Sequence, residues 1–190
     1  MSVKPGGTLN GERLLAQRIR CSDGAYGMLF RHGGRFLHDE HFMRLALEEA
    51  TLAIEHDDVP IGAVATLNDE VIASARNERE LRQDPTAHAE ILVLREAAKR
   101  LETWKLNDVD VFVTLEPCPM CAGALVAARV RRVIYGAADL KAGAAQSLYN
   151  IVQDQRLNHR VELTTGVLAD ESARLLREFF GKKRSNRESL

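Results

Sequence analysis

From Asp39 onward the apolar positions fall into alternating helical and strand periods. Met43, Leu47, Ala50 and Ile54 recur every three or four residues, with Glu48, Glu49 and Glu55 elsewhere on the cylinder, which predicts an amphipathic helix. Pro60 lies beyond it. Residues 61–67 (IGAVATL) then read as a strand, Asn68-Asp69 as a hairpin turn and residues 71–73 as the return strand. Residues 76–87 are polar and end in Asp84-Pro85-Thr86, the composition of a loop. A second helix is expected over residues 88–100, with Ile91, Leu94, Ala98 and Leu101 inward. Residues 111–115 (VFVTL) are β-rich without alternation, so this strand should be central and buried on both faces. Pro117-Cys118-Pro119 opens a helix to about residue 129 that is apolar nearly all round, which predicts deep burial. Residues 133–136 read as a strand and residues 137–160 mostly as loop, with a helical turn near 147–152. Residues 161–164 form the last strand, and Leu175, Leu176, Phe179 and Phe180 stripe a closing helix that frays into Lys182-Lys183-Arg184. Strands alternate with helices, so the fold class is α/β.

Residues 1–38 break this rhythm. Seven glycines punctuate them and no apolar period survives. They read as a flexible N-terminal extension, residues 39–184 as the folded domain and residues 185–190 as a C-terminal tail. The best apolar stretch of the extension, residues 26–30, is too short and too late for a secretory signal, and two serines are too few for a transit peptide. Translation starting at Met28 or Met43 would also account for it.

Composition adds limits. The chain has 190 residues, 45% hydrophobic and 28% charged, an ordinary globular balance for one domain with an accessory segment. No apolar run approaches the roughly 20 residues of a membrane span. The net charge of −1 is unevenly spread. Residues 1–38 and 174–190 each carry six basic and two acidic side chains, whereas residues 39–173 carry 14 basic and 23 acidic ones. An acidic globule with basic ends points weakly to a polyanionic partner.

The cysteines sharpen the chemistry. Three of them cannot build a disulfide framework, and two form a Cys-x-x-Cys, which indicates a reducing, cytoplasmic setting and metal or redox chemistry. Cys118 and Cys121 stand three apart at a helix start, where Pro119 loses no hydrogen bond and the dipole favours thiolates. With His88 they make a Cys₂His zinc set, and three protein ligands leave the fourth tetrahedral position for water, the catalytic pattern. Cys21 and His159 are the remaining candidates for a fourth ligand, with nothing to place them nearby. Glu90 lies about 200° from His88 around a regular helix. Both can face one metal only if His88 sits at the helix entrance, which Asp84 or Thr86 can arrange by capping or turning the chain. Glu90 is then a base beside the metal, not a ligand.

His88-x-Glu90 followed by Pro117-Cys118-x-x-Cys121 is the zinc deaminase signature. Residues 84–90 (DPTAHAE) and 114–121 (TLEPCPMC) resemble the bacterial tRNA-specific adenosine deaminase form of its two halves. Asn77, residues 136–147 (GAADLKAGAAQS) and residues 158–162 (NHRVE) are similar too, and the resemblance covers about residues 40–184. It implies a cytidine-deaminase-like three-layer α/β/α fold with a five-stranded mixed sheet, a homodimer and one zinc per subunit. It implies hydrolytic deamination of adenosine to inosine at the wobble position of a tRNA anticodon stem-loop. Under it His88, Cys118 and Cys121 hold zinc, Glu90 shuttles the proton and Asn77 contacts the flipped nucleoside. Asp139 and Lys141 lie near the RNA, and Lys182, Lys183 and Arg184 at its phosphates.

Two other readings compete. A free nucleoside or nucleobase deaminase acting on cytosine or guanine would keep the chemistry and change the substrate. A catalytically idle RNA-binding scaffold would use the zinc structurally, but it has no use for Glu90.

Overall fold

The computed structural model describes residues 33–188. The expectations for residues 1–32, Cys21 among them, and for residues 189–190 lie outside the described residues. Helices α1 (Gly33–Ala53), α2 (Arg79–Arg82), α3 (Ala89–Arg100), α4 (Pro119–Ala127) and α5 (Ala169–Glu188) alternate with strands β1 (Gly62–Leu67), β2 (Glu70–Arg76), β3 (Val109–Leu115), β4 (Arg132–Ala137) and β5 (Glu162–Thr165). The sheet order is β2-β1-β3-β4-β5. β1 pairs antiparallel with β2 and β3, while β3, β4 and β5 run parallel. This is the expected five-stranded mixed sheet. Among the described residues no helix is long and apolar enough to cross a membrane.

The central strand explains the layering. Val111 and Val113 face one side with Val133 and Tyr135, where α3 and α4 supply Val93, Leu94, Ala97, Ala122 and Leu125. Phe112 faces the other with Val64 and Ile134, against Phe42, Met43 and Ala46 of α1. Both faces of β3 are thus covered, as its unbroken apolar run requires. A Cβ on Gly62 would overlap the Ala46 carbonyl, so α1 lies directly on β1. Asn68 and Asp69 adopt φ 51° and 65°, the left-handed pair of a tight hairpin turn.

Several expectations are corrected. α1 starts at Gly33, six residues before the expected point, because periodicity detects only the part of a helix that packs. Its inner stripe uses Ala46 and Ala53, while Ile54 falls in a 3₁₀ turn and is 38% exposed. The inner face of α3 is Ala89, Glu90, Val93, Leu94 and Ala97, so Ile91, Ala98 and Leu101 sit only at its margin. Residues 147–152 are mostly a bend and irregular chain, not a helical turn, and α5 continues through the basic triplet without fraying. Most consequentially, α4 is not buried all round. Cys121, Ala122, Leu125 and Val126 are covered, but Pro119, Met120 and Ala127 are exposed.

One buried ion cluster ties α1 to the sheet. Arg132 donates to Asp39 at 2.6 and 2.9 Å and to Asp110 at 3.0 Å, and all three residues are nearly fully buried. Arg132→Ala leaves Asp39 buried without its arginine, while Asp110 keeps the half-exposed Arg131 at 2.7 Å. Breaking one side of such a pair costs about 3–5 kcal/mol. A denaturant titration of this variant is expected to show that loss, and unchanged stability would remove the cluster from the account.

Candidate active site

The loop before α3 delivers His88 at the helix entrance. Asp84 Oδ1 accepts from Thr86 N at 2.8 Å and from Thr86 Oγ1 at 2.7 Å. Ala87 N donates to the Asp84 carbonyl at 3.1 Å and His88 N to the Thr86 carbonyl at 2.7 Å. Asp84 therefore turns the chain and does not cap the helix. His88 itself occupies the N-cap position with extended φ −74° and ψ 148°, and Glu90 follows in the first turn, buried. The approximately 200° separation is thereby overcome as the sequence required.

The second half repeats the device. Cys118 is the N-cap of α4 with φ −71° and ψ 172°, Pro119 is its first helical residue, and Cys121 is fully buried two positions on. Two helix N-termini, with their unpaired N–H groups and positive dipole ends, therefore supply the residues of one small volume. His88 Nδ1 lies 3.6 Å from Cys118 Sγ and 3.5 Å from Cys121 Sγ. Zinc bonds of about 2.3 Å to sulfur and 2.0–2.1 Å to nitrogen, at tetrahedral angles, set their ligand atoms about 3.5 Å apart. The three side chains fit that ion. Among the described residues they are the one such group, with donor atoms within 4.8 Å of each other.

Their electrostatics suit a cation. The Cys118 thiol is brought down to about 4 by the hydrogen bond from Cys121, with His88 adding to it. Cys121 is pushed up because it gives that hydrogen bond and because it is buried. Without metal the pair thus shares one proton, with Cys118 as the thiolate. His88 is raised chiefly by its bond to Cys118. Burial lifts Glu90 to about 7, and the Cys118 charge adds to the effect. A carboxyl near neutrality can both take and give a proton.

A cavity of about 410 Å³ opens over this group and is lined by His88 and Glu90 together with Asn77, Asp139 and Lys141. Asn77 is buried at the end of β2, with its N–H on the Ile61 carbonyl at 2.8 Å. Its Nδ2 donates to the Val59 carbonyl at 3.3 Å and Asp58 Oδ1 at 3.5 Å. Asp58 is itself fully buried and takes the N–H groups of Glu80 and Leu81 at 2.8 and 3.1 Å, which anchors α2 beside the cavity. Lys182, Lys183 and Arg184 do not line it. Lys182 and Arg184 are exposed, while Lys183 Nζ sits 2.9 Å from Asp57 Oδ2 and 4.9 Å from the Phe179 ring centroid. His159 is far from the metal group in its contacts, with Nε2 2.7 Å from the Val130 carbonyl, a loop brace.

Arg79, Leu176 and Phe180 also line the cavity, and periodicity did not single them out for it. One signal was available. Adjacent helical residues point about 100° apart, so Phe179 and Phe180 cannot both face the core. Phe179 is buried and Phe180 is 42% exposed.

The MafB19-like deaminase family profile matches residues 37–184. The tRNA-specific adenosine deaminase of Bacillus subtilis is 48% identical over 151 residues, covering 80% of this chain and 94% of that one. The chain belongs to the tRNA-specific adenosine deaminase family. A structure solved in a study of A-to-I editing by tRNA:A34 deaminases at the wobble position agrees. It superposes with a TM-score of 0.69 at 46% identity, over 72% of this chain and 99% of that one. A guanine deaminase from Nitrosomonas europaea is also similar in fold, with a TM-score of 0.64 at 27% identity over 74% of this chain and 83% of that one. The tRNA-specific adenosine deaminases are thus markedly closer in sequence than the guanine enzyme.

Proposed function

We propose that this protein hydrolyses adenosine to inosine at the wobble position of a tRNA anticodon, with zinc as its metal. The observation that carries the reading is the pairing of a fitting Cys₂His group with a buried carboxyl that is not one of its ligands, in a chain of this family. His88, Cys118 and Cys121 would hold the ion. When bound, zinc lowers the pKa of water toward 7 and so makes a nucleophile available at neutral pH. Glu90 takes a proton from the attacking water and hands it to adenine N1, then takes the proton of the new C6 hydroxyl and gives it to the departing amine. The C6–O bond forms, the C6–N bond breaks, and the products are inosine and ammonia. Asn77 holds the base, and Asp139 and Lys141 meet the RNA at the mouth. An anticodon loop suits such a cavity, because its unpaired bases can be splayed out without melting a duplex. Lys182 and Arg184 are left for phosphates, while Lys183 fastens α5 to Asp57.

The open side of α4 supports a homodimer. A helix that is apolar all round belongs in an interior. Here Ala124, Ala127 and Ala128 instead border an apolar cavity of about 350 Å³ with Ile91, Leu94 and the 59% exposed Trp104. Sedimentation at micromolar concentration is expected to give twice the mass of 21.1 kDa, and a monomer would overturn the dimer. The deaminase domain begins with α1 and runs to about residue 184, with the residues before α1 an extension, and the setting is cytoplasmic.

The experiment is an inosine assay on a wobble-adenosine anticodon stem-loop, with free adenosine, cytidine and guanine in parallel. Inosine in the hairpin alone is expected, with affinity falling steeply as salt rises. Turnover of free guanine with an untouched hairpin would transfer the site to the nucleobase reading that the guanine deaminase fold represents.

A further inference from the structure

We propose that Glu116 is a positioning residue whose buried carboxylate clamps residues 138–147 into the shape that presents Asp139 and Lys141 at the cavity mouth, and so sets how tightly the anticodon loop is held. This rests on the RNA reading above.

Glu116 is 2% exposed and does not line the cavity. It stands between the end of β3 and Pro117, with its N–H on the Ala137 carbonyl at 2.9 Å. Its side chain crosses to the next loop. One oxygen accepts from Gln146 N and Ser147 N, each at 2.8 Å. The other accepts from Asp139 N at 3.0 Å and from Ser147 Oγ. These four donors take up about all the lone-pair sites a carboxylate has, and none of them is charged. A buried carboxylate is costly unless it is fully hydrogen-bonded, so the loop must keep this shape for the charge to be tolerated.

The loop is closed around that anchor. Asp139 Oδ1 accepts from Lys141 N at 2.9 Å and Ala142 N at 3.2 Å, and Gly143 N donates to the Asp139 carbonyl at 2.8 Å. Ala144 N reaches back to the Pro117 carbonyl at 2.8 Å, one residue before the metal ligand Cys118. A Cβ on Gly143 would run into the Glu116 carboxylate, so only glycine lets the loop approach this closely. The rim of the cavity is thus tied to the same stretch of backbone that carries the metal site. Glu116 has no free acceptor for chemistry and acts only through the loop.

Glu116→Gln replaces one acceptor oxygen with an amide N–H₂ that meets N–H donors head-on. Ser147→Ala removes a single donor and leaves the carboxylate in place. In the hairpin assay Glu116→Gln is expected to raise KM about tenfold or more with kcat within about threefold, the loss of hydrogen bonds to a charged group. Ser147→Ala is expected to raise KM about threefold. Zinc content should match wild type in both. The same ranking is expected for direct binding of a labelled hairpin in a Glu90→Ala background, where no turnover intervenes. A wild-type KM in Glu116→Gln overturns the proposal, as does a kcat loss at unchanged KM. If Glu116→Gln does not fold, Ser147→Ala decides, and an unchanged KM there overturns it. Absence of inosine with the wild-type protein instead overturns the RNA reading, and this proposal falls with it.

Discussion

The Glu90→Ala protein is expected to bind zinc as the wild type does and to lose at least about 10²–10⁴-fold in kcat, the usual worth of a general acid–base group. Retention follows from the geometry. The three donors at His88, Cys118 and Cys121 already satisfy the spacing of a tetrahedral ion, and Glu90 is not among them. The rate loss follows from burial. Glu90 is 4% exposed, so bulk water cannot substitute readily for the proton carrier. In the metal-free site burial lifts it to about 7. Glu90→Gln, which keeps the shape and removes the basic oxygen, should lose activity to a similar extent. Metal analysis beside single-turnover rates checks both points. A variant that kept near-normal rate would end the assignment, and one that lost its zinc would make Glu90 a ligand.

Chelation of the metal is expected to abolish activity while leaving the protein folded, and added zinc should restore the rate. The reason lies in where the ligands sit. His88 and Cys118 are N-cap residues, outside the bodies of α3 and α4, and only Cys121 belongs to the first turn. The bodies of those helices are held by Val93, Leu94, Ala97, Leu125 and Val126 against the sheet, independently of the ion. Far-UV circular dichroism should therefore change little on chelation under reductant, although the melting temperature will fall by the binding energy lost. Complete unfolding on chelation would favour a structural staple, as in small domains whose metal supplies the folding energy.

Much of the site could be read along the chain because it consists of local devices. A His-x-Glu after an Asp-Pro-Thr turn and a Pro-Cys-Pro at a helix start each fix their own geometry within about one turn of backbone. The deduction that His88 must occupy a helix entrance rested on angular spacing alone, and the N-cap conformation agrees with it. The strand pattern was legible for a similar reason, since the unbroken run of β3 has one reading, burial on both faces.

What sequence left open was decided by contacts distant along the chain. Phe180, Leu176 and Arg79 reach the cavity because α5 and α2 pack beside it, and no local period encodes that meeting. Lys183 looked like part of a basic cluster, yet it pairs with Asp57, 126 residues away. Glu116 read as one letter of a motif, and its partners at residues 139, 146 and 147 appear only when β3 and β4 lie side by side. Local periodicity and turn chemistry therefore determined most of the elements and the residues that meet as the His88, Cys118 and Cys121 group. The tertiary structure determined the walls of the cavity, which cations are free and which face of α4 stays open, because these depend on packing between elements far apart in sequence.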